Sequence, residues 1–388
     1  MKIIYISILD STSSKADKYY GIGTEGFYTF GIGQFIAAEF IKRDYQAVFE
    51  LWRSDTRINK EMSAVYGEVV CRVFPSRKLR KPFSQLSIPM LCALIKAAKS
   101  KDVVIHFMLT HNIMYHLYAL CLGKRRCFAT HLGDPNPLWI YERSRKLSYL
   151  LAYLSEKHLL LRSYKMIYTI CRAEESYYKR WQVPVNFGIV YGVCREDKFY
   201  IKDRNECRQK LGLPIDKKII LQVGRAVEYR GFDWILRLMD HYASDPDILF
   251  VMVGINEWDP YYSEIKKRDC LVYGYVLQTD LPDFYNAADL FIFLITGEKV
   301  LTFGGTGYVP IEALYCGTPV VASSLHHIRE FGIEEVSKIP TREEDLITMV
   351  ELLLTNPPDR VECRTKAKEI FDWSRVLESY WKDYNELH

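Results

Sequence analysis

Gly304-Gly305-Thr306-Gly307-Tyr308-Val309-Pro310-Ile311-Glu312-Ala313-Leu314-Tyr315-Cys316-Gly317-Thr318-Pro319 is the stretch on which the reading of this chain turns. Three glycines surround Thr306, and a helix is expected to start near Tyr308–Pro310, since proline is tolerated in a first helical turn. An apolar run, Leu290–Ile295, precedes the loop, and a second, Pro319–Ala322, follows the helix. The order is therefore strand, glycine loop, helix, strand. Open N–H groups at such a helix start, together with its dipole, suit a diphosphate. Glu312 follows within about one turn and is placed to accept hydrogen bonds from two sugar hydroxyls. Upstream, Leu221-Gln222-Val223-Gly224-Arg225 and Tyr229-Arg230-Gly231 repeat the theme of an apolar strand running into a loop. Arg225 and Arg230 would bring planar, permanently charged groups to phosphate oxygens at the carboxyl end of a sheet.

The same alternation runs through the chain. Ile3–Leu9, Val103–Met108 and Ile167–Ile170 in the first half, and Ile219–Val223, Leu249–Val253, Leu271–Val276, Leu290–Ile295 and Pro319–Ala322 in the second, are nearly continuous apolar runs. Runs of this kind, about a helix length apart, belong to parallel strands buried on both faces. At 388 residues the chain exceeds one ordinary core. The expectation is α/β with two doubly wound, Rossmann-like domains, 1–192 and 193–371, plus an amphipathic tail helix over 372–388.

Net charge is +4, but residues 1–196 carry 29 Lys/Arg against 16 Asp/Glu while the remainder carries 23 against 32. A basic first half suggests an anionic contact there. Its basic runs are Arg77-Lys78-Leu79-Arg80-Lys81, Lys124-Arg125-Arg126 and Arg143 to Lys146, with Trp139, Tyr141, Tyr149 and Tyr153 nearby. Solvated surface explains most such runs; peripheral contact with an anionic membrane is the functional alternative. Nucleic acid is disfavoured, because no reading motif accompanies the charge. Ten cysteines stand singly, which fits reduced thiols and a cytoplasmic location. His106, His111 and His116 recur every five residues, so they do not share a helix face, and no metal site is expected. Val103 to Gly123 lacks a formal charge but holds three His, and reads as a strand plus helix rather than a spanning segment. The first apolar run is a buried strand rather than a signal peptide.

The segment ending Glu312-Ala-Leu-Tyr-Cys-Gly-Thr-Pro-Val-Val resembles the donor-binding signature of the retaining GT-B glycosyltransferases of family 4. The resemblance extends to Val190-Tyr-Gly-Val-Cys, Leu211-Gly-Leu-Pro, Val253-Gly254 and Leu281-Pro-Asp-Phe-Tyr-Asn-Ala-Ala-Asp289. It is good from about 186 to 325 and loose before that. It implies two Rossmann-like domains facing across a cleft and a tail helix returning to the first of them. It implies transfer of a sugar from a nucleotide-diphosphate sugar, UDP- or GDP-linked, to a hydroxyl of a glycan or lipid-linked acceptor, with retention and with no cofactor or metal. Carried onto this chain, the acting residues would be His131, Arg225, Arg230 and Glu312. Gly31, Gly33, Gly224, Gly254, Tyr275, Glu298, Gly304, Gly305, Thr306, Gly307, Tyr308 and Val309 would hold the donor, and Asp134 is a weaker candidate.

There are two departures. The basic pair is Arg–Arg where the family has Arg–Lys. The first Glu of the family's Glu-x7-Glu falls on Gly304, so either Glu298, across an inserted loop, or backbone amides alone take its place; the amides are the preferred reading. Two other possibilities stay open: a nucleotide-sugar epimerase, and a catalytically reduced nucleotide-sugar-binding or scaffold protein.

Overall fold

The computed structural model describes residues 1–7, 32–66, 68–79, 85–109, 113–123, 127–133, 136–180, 182, 185–192 and 194–387. The chain divides into two units, Met1–Val190 with Ser374–His388, and Tyr191–Trp373.

The first unit is built on an eight-stranded sheet. Its order is Asn186–Ile189, Met166–Thr169, Cys127–His131, Val103–Leu109, Lys2–Ser7, Val48–Asp55, Val69–Pro75, Met62–Tyr66. Every pairing is parallel except the last. Val103 to Gly123 forms a strand followed by the helix Ile113–Leu122, and among the described residues no helix is long and apolar enough to cross a membrane. The tail helix Trp373–Asn385 belongs largely to this unit. The Tyr380 hydroxyl lies 3.0 Å from Thr130 Oγ1, and Tyr384 bonds His106 and approaches Tyr5. His106 is thus a core residue, its Nε2 2.8 Å from Thr130 Oγ1, and His111 lies outside the described residues.

Val48–Asp55 escaped the sequence reading because Glu50, Arg53 and Asp55 make it look like surface. All three are buried. Glu50 accepts from Trp52 Nε1 at 2.7 Å, and Arg53 Nη1 lies 3.7 Å from Asp55 Oδ2. Charges enter a core when they are paired.

The second unit holds a six-stranded, all-parallel sheet ordered Cys270–Tyr273, Ile248–Val253, Lys218–Val223, Leu290–Phe293, Val320–Ala322, Ser337–Lys338. Numbered along the chain this is 3-2-1-4-5-6, the doubly wound order, whose topological switch point lies between the first and fourth strands. Continuous apolarity follows from burial on both faces. Leu221, Val223, Val251 and Phe291 pack into one core, while Ile220, Phe250, Met252 and Ile292 pack into the other.

Candidate functional site at the switch point of the second sheet

Glycines end three neighbouring strands of the second sheet. Lys218–Val223 runs into Gly224, with φ +126°, and Ile248–Val253 into Gly254, with φ +82°. The Gly224 N–H donates to Val253 O at 2.8 Å, and the Gly254 N–H to Gly274 O at 3.0 Å. A Cβ on Gly254 would stand 3.4 Å from the Gly224 backbone. The carboxyl edge of the sheet here is a ledge of bare backbone, open to close approach by a ligand. Tyr275 stands exposed just beyond it.

Two guanidinium groups flank the ledge. Arg225 is exposed, and its Nε lies 3.3 Å from Oδ1 of the buried Asp259. Asp259 Oδ2 also accepts the Asn256 N–H at 2.9 Å, so the carboxylate that orients Arg225 is itself fixed. Arg230 ends the single turn Glu228–Arg230 and sits half-buried with its Cζ 4.5 Å from the Phe293 ring centroid. Gly231, with φ +62°, makes that placement possible: a Cβ there would meet Leu294 Cβ at 2.7 Å. The turn is thereby pressed onto the end of the fourth strand. Burial, with the charge of Arg225 adding to it, lowers the pKa of Arg230; arginine remains charged at neutral pH regardless. Two crowded cations of this kind are relieved by an anion.

The opposite side is the glycine loop. Helix Glu298–Phe303 ends at Gly304; after Gly305 (φ +60°) and Gly307 (φ +75°) the helix Tyr308–Tyr315 begins. Thr306 is buried, and its carbonyl accepts from Ser324 Oγ at 2.7 Å. The N–H groups of Gly305, Thr306 and Gly307 make no hydrogen bond to another described residue. Tyr308 is exposed and Val309 half-buried at the mouth of this turn. Glu312 points inward and is buried; Tyr285 donates its hydroxyl to Oε2 at 2.8 Å, and Gln278 Nε2 lies 3.4 Å from Oε1. Burial raises the Glu312 carboxyl to about 7, and these two donors only partly oppose that.

The expected loop between Glu298 and Gly304 is a helix. Gly297 caps its start, and Thr302 Oγ1 donates to Glu298 O at 2.7 Å. Glu298 sits exposed on the first turn, about 9 Å of helix rise from position 304. At Gly304 a Cβ would lie 2.5 Å from Val300 O, so the local backbone admits no side chain.

In the first unit His131 ends its strand buried, its Nδ1 2.6 Å from Oε1 of the equally buried Glu174. Gly33 lies in the first turn of the helix Ile32–Lys42, where a Cβ would meet Tyr5 Cβ at 2.9 Å; close helix–strand packing suffices to explain it. Gly31 and Asp134 lie outside the described residues. Asp259, Gln278, Tyr285 and Glu174 were not anticipated. Of these, Tyr285 alone lies in a stretch that resembles the family, Leu281 to Asp289; the others lie far in sequence from the groups they hold.

The family of glycosyl transferases group 1 matches residues 203–370. Most of the second unit is therefore similar to the group 1 glycosyl transferases. A D-inositol 3-phosphate glycosyltransferase of Xylanimonas cellulosilytica is 28% identical over 159 residues, covering 39% of this chain and 36% of that protein. The chain spans 28% to 45% of the length of the first curated relatives it matches. Solved structures resemble it from end to end. Sucrose-phosphate synthase from Thermosynechococcus elongatus superposes with a TM-score of 0.67 at 18% identity, over 100% of this chain and 99% of the other. Anabaena HepE, solved in complex with UDP, gives a TM-score of 0.66 at 14% identity over 100% of both chains. At such identities the likeness establishes the fold, α/β of the GT-B type with two Rossmann-like domains. The matched stretch, 203–370, contains every second-unit residue of the site.

Proposed function

We propose that this protein is a glycosyltransferase that moves a sugar from a UDP- or GDP-linked donor to a hydroxyl of a glycan or lipid-linked acceptor. The observation that carries the reading is the convergence of Arg225, Arg230 and the Gly305–Gly307 amides on the switch point of a 3-2-1-4-5-6 sheet. Each supplies positive charge or an N–H donor where a diphosphate would lie. As the glycosidic bond breaks, negative charge accumulates on that diphosphate, and the two arginines stabilise it in the way a metal ion does elsewhere. The reaction is therefore assigned as metal-independent. Glu312, directed inward beneath the glycine turn, accepts hydroxyl hydrogen bonds from the donor. Tyr275, Gly224 and Gly254 bound the nucleotide end.

Retention is assigned to same-face attack. A double displacement needs a positioned carboxylate nucleophile, and position 304, where the family's first Glu falls, is glycine with no room for a side chain. The departing phosphate oxygen then takes the proton of the acceptor hydroxyl. His131 is proposed as the acceptor-domain residue that stabilises charge near the sugar, with Glu174 holding its Nδ1. Polysaccharide or glycolipid assembly at the cytoplasmic membrane face is the setting that this chemistry and the basic first half suggest together.

Incubation with a panel of UDP- and GDP-sugars, in buffer containing EDTA, tests the reading. Release of one nucleoside diphosphate, dependent on an acceptor and with the anomeric configuration preserved by NMR, is expected. Tight nucleotide binding with no turnover under any condition would favour the scaffold reading prompted by Gly304.

A further inference from the structure

We propose that the outward face of the helix Leu147–Ser155, with its basic flanks, docks this protein on an anionic lipid surface. The proposal deepens the lipid-linked-acceptor reading above and rests on it for the purpose of such a contact. A surface helix ordinarily turns its leucines inward. Here Tyr153 points into the core, while Leu147, Leu151 and Leu154 are 63%, 56% and 40% exposed. Spacings of four and three residues put these leucines in one stripe along the helix. Leu159, 60% exposed in the turn that follows, extends the apolar surface.

Charge decides the occupant. From residue 143 to 163 the chain carries Arg143, Arg145, Lys146, Lys157 and Arg162 against one acidic residue, Glu156, which is buried. Arg143, Arg145 and Lys146 lie exposed at the start of the helix, and Arg162 lies exposed beyond its end. An apolar stripe rimmed by cations matches the acyl boundary and headgroups of an anionic bilayer. A second copy of the chain is a poor match, because a symmetric contact would bring two such cation sets together. Two of the aromatic residues near the basic runs play another part. Trp139 and Tyr153 are buried, and Trp139 carries the Arg143 guanidinium 3.8 Å from its ring centroid. The leucines form most of the apolar surface, with Tyr149 also exposed on the same helix.

The test is co-sedimentation of the full chain with phosphatidylcholine vesicles and with vesicles of equal parts phosphatidylcholine and phosphatidylglycerol. The variants are Leu147→Ser/Leu151→Ser/Leu154→Ser and, separately, Arg145→Ser/Lys146→Ser. Wild type is expected to sediment with the anionic vesicles, and the leucine variant to lose about tenfold or more in apparent affinity. The cation variant should lose binding with weakened salt dependence. Since all the altered residues are exposed, UDP or GDP affinity measured on the same samples should be unchanged; that separates this proposal from the donor-site reading, which would fail on nucleotide affinity alone. Equal sedimentation of wild type and leucine variant overturns the proposal. So does a concentration-dependent dimer of wild type, without lipid, that the leucine variant abolishes.

Discussion

Replacing Glu312 by Gln should stabilise the free protein while damaging its function. The Glu312 carboxyl sits near 7 against an ordinary 4.5 because it is buried. The sign follows from linkage. Below pH 4.5 the group is protonated in both folded and unfolded chains, and a neutral Glu and a Gln should be nearly equivalent. Between about 4.5 and 7 the unfolded chain ionises and the folded one resists, so wild type loses stability as pH rises. By pH 7 that loss approaches about 3 kcal/mol, at roughly 1.4 kcal/mol per tenfold shift in the ionisation constant. Gln at 312 escapes it and still accepts from the Tyr285 hydroxyl, while the Gln278 amide can turn to offer its oxygen. The variant's advantage should therefore grow from near zero below pH 4.5 to as much as about 3 kcal/mol at pH 7. In calorimetric unfolding of the second unit that is a difference of roughly 6–12 °C. Donor hydroxyls need the carboxylate, so nucleotide-sugar affinity of wild type should fall as pH drops through about 7, and the variant should bind weakly throughout. A stability difference that is flat with pH, or full nucleotide-sugar affinity in Glu312→Gln, would refute the reasoning.

Asp259→Asn removes the charge that orients Arg225 and should weaken nucleoside diphosphate binding by about tenfold, read by calorimetry, with little change in melting temperature. Gly304→Glu restores the family's carboxylate in sequence, but its Cβ would collide with Val300 O; turnover and thermal stability should both fall rather than recover. Gly231→Ala forces a side chain into φ +62° and against Leu294; it should cost about 2 kcal/mol or more in unfolding free energy and displace Arg230, raising KM for the donor.

Much of the second unit was legible because most of its parallel strands are nearly continuous apolar runs, and because glycines mark the places where backbone replaces side chain. Ile219–Val223 and Leu249–Val253 were placed to within one residue of the observed strands. Val48–Asp55 was not, since three paired charges inside it carry no local mark in sequence. The site followed the same division. Arg225, Arg230 and the Gly304–Gly307 turn lie in runs whose chemistry reads directly. Asp259, thirty-four residues from Arg225, and Tyr285 and Gln278, which reach Glu312 from another helix and loop, become partners only once the sheet has assembled. The helix Glu298–Phe303 leaves no mark in the sequence, because six residues between two glycine-bearing turns give no periodicity to count.

Titration of UDP, GDP, ADP and CDP into wild type and Arg225→Ala, by calorimetry in EDTA, tests the donor clamp most directly. One diphosphate should bind selectively without metal, and Arg225→Ala should lose that affinity by at least about tenfold while melting at the wild-type temperature. Equal binding by wild type and Arg225→Ala, or binding of none of the four, would contradict the assignment of the switch point as a nucleotide-sugar site.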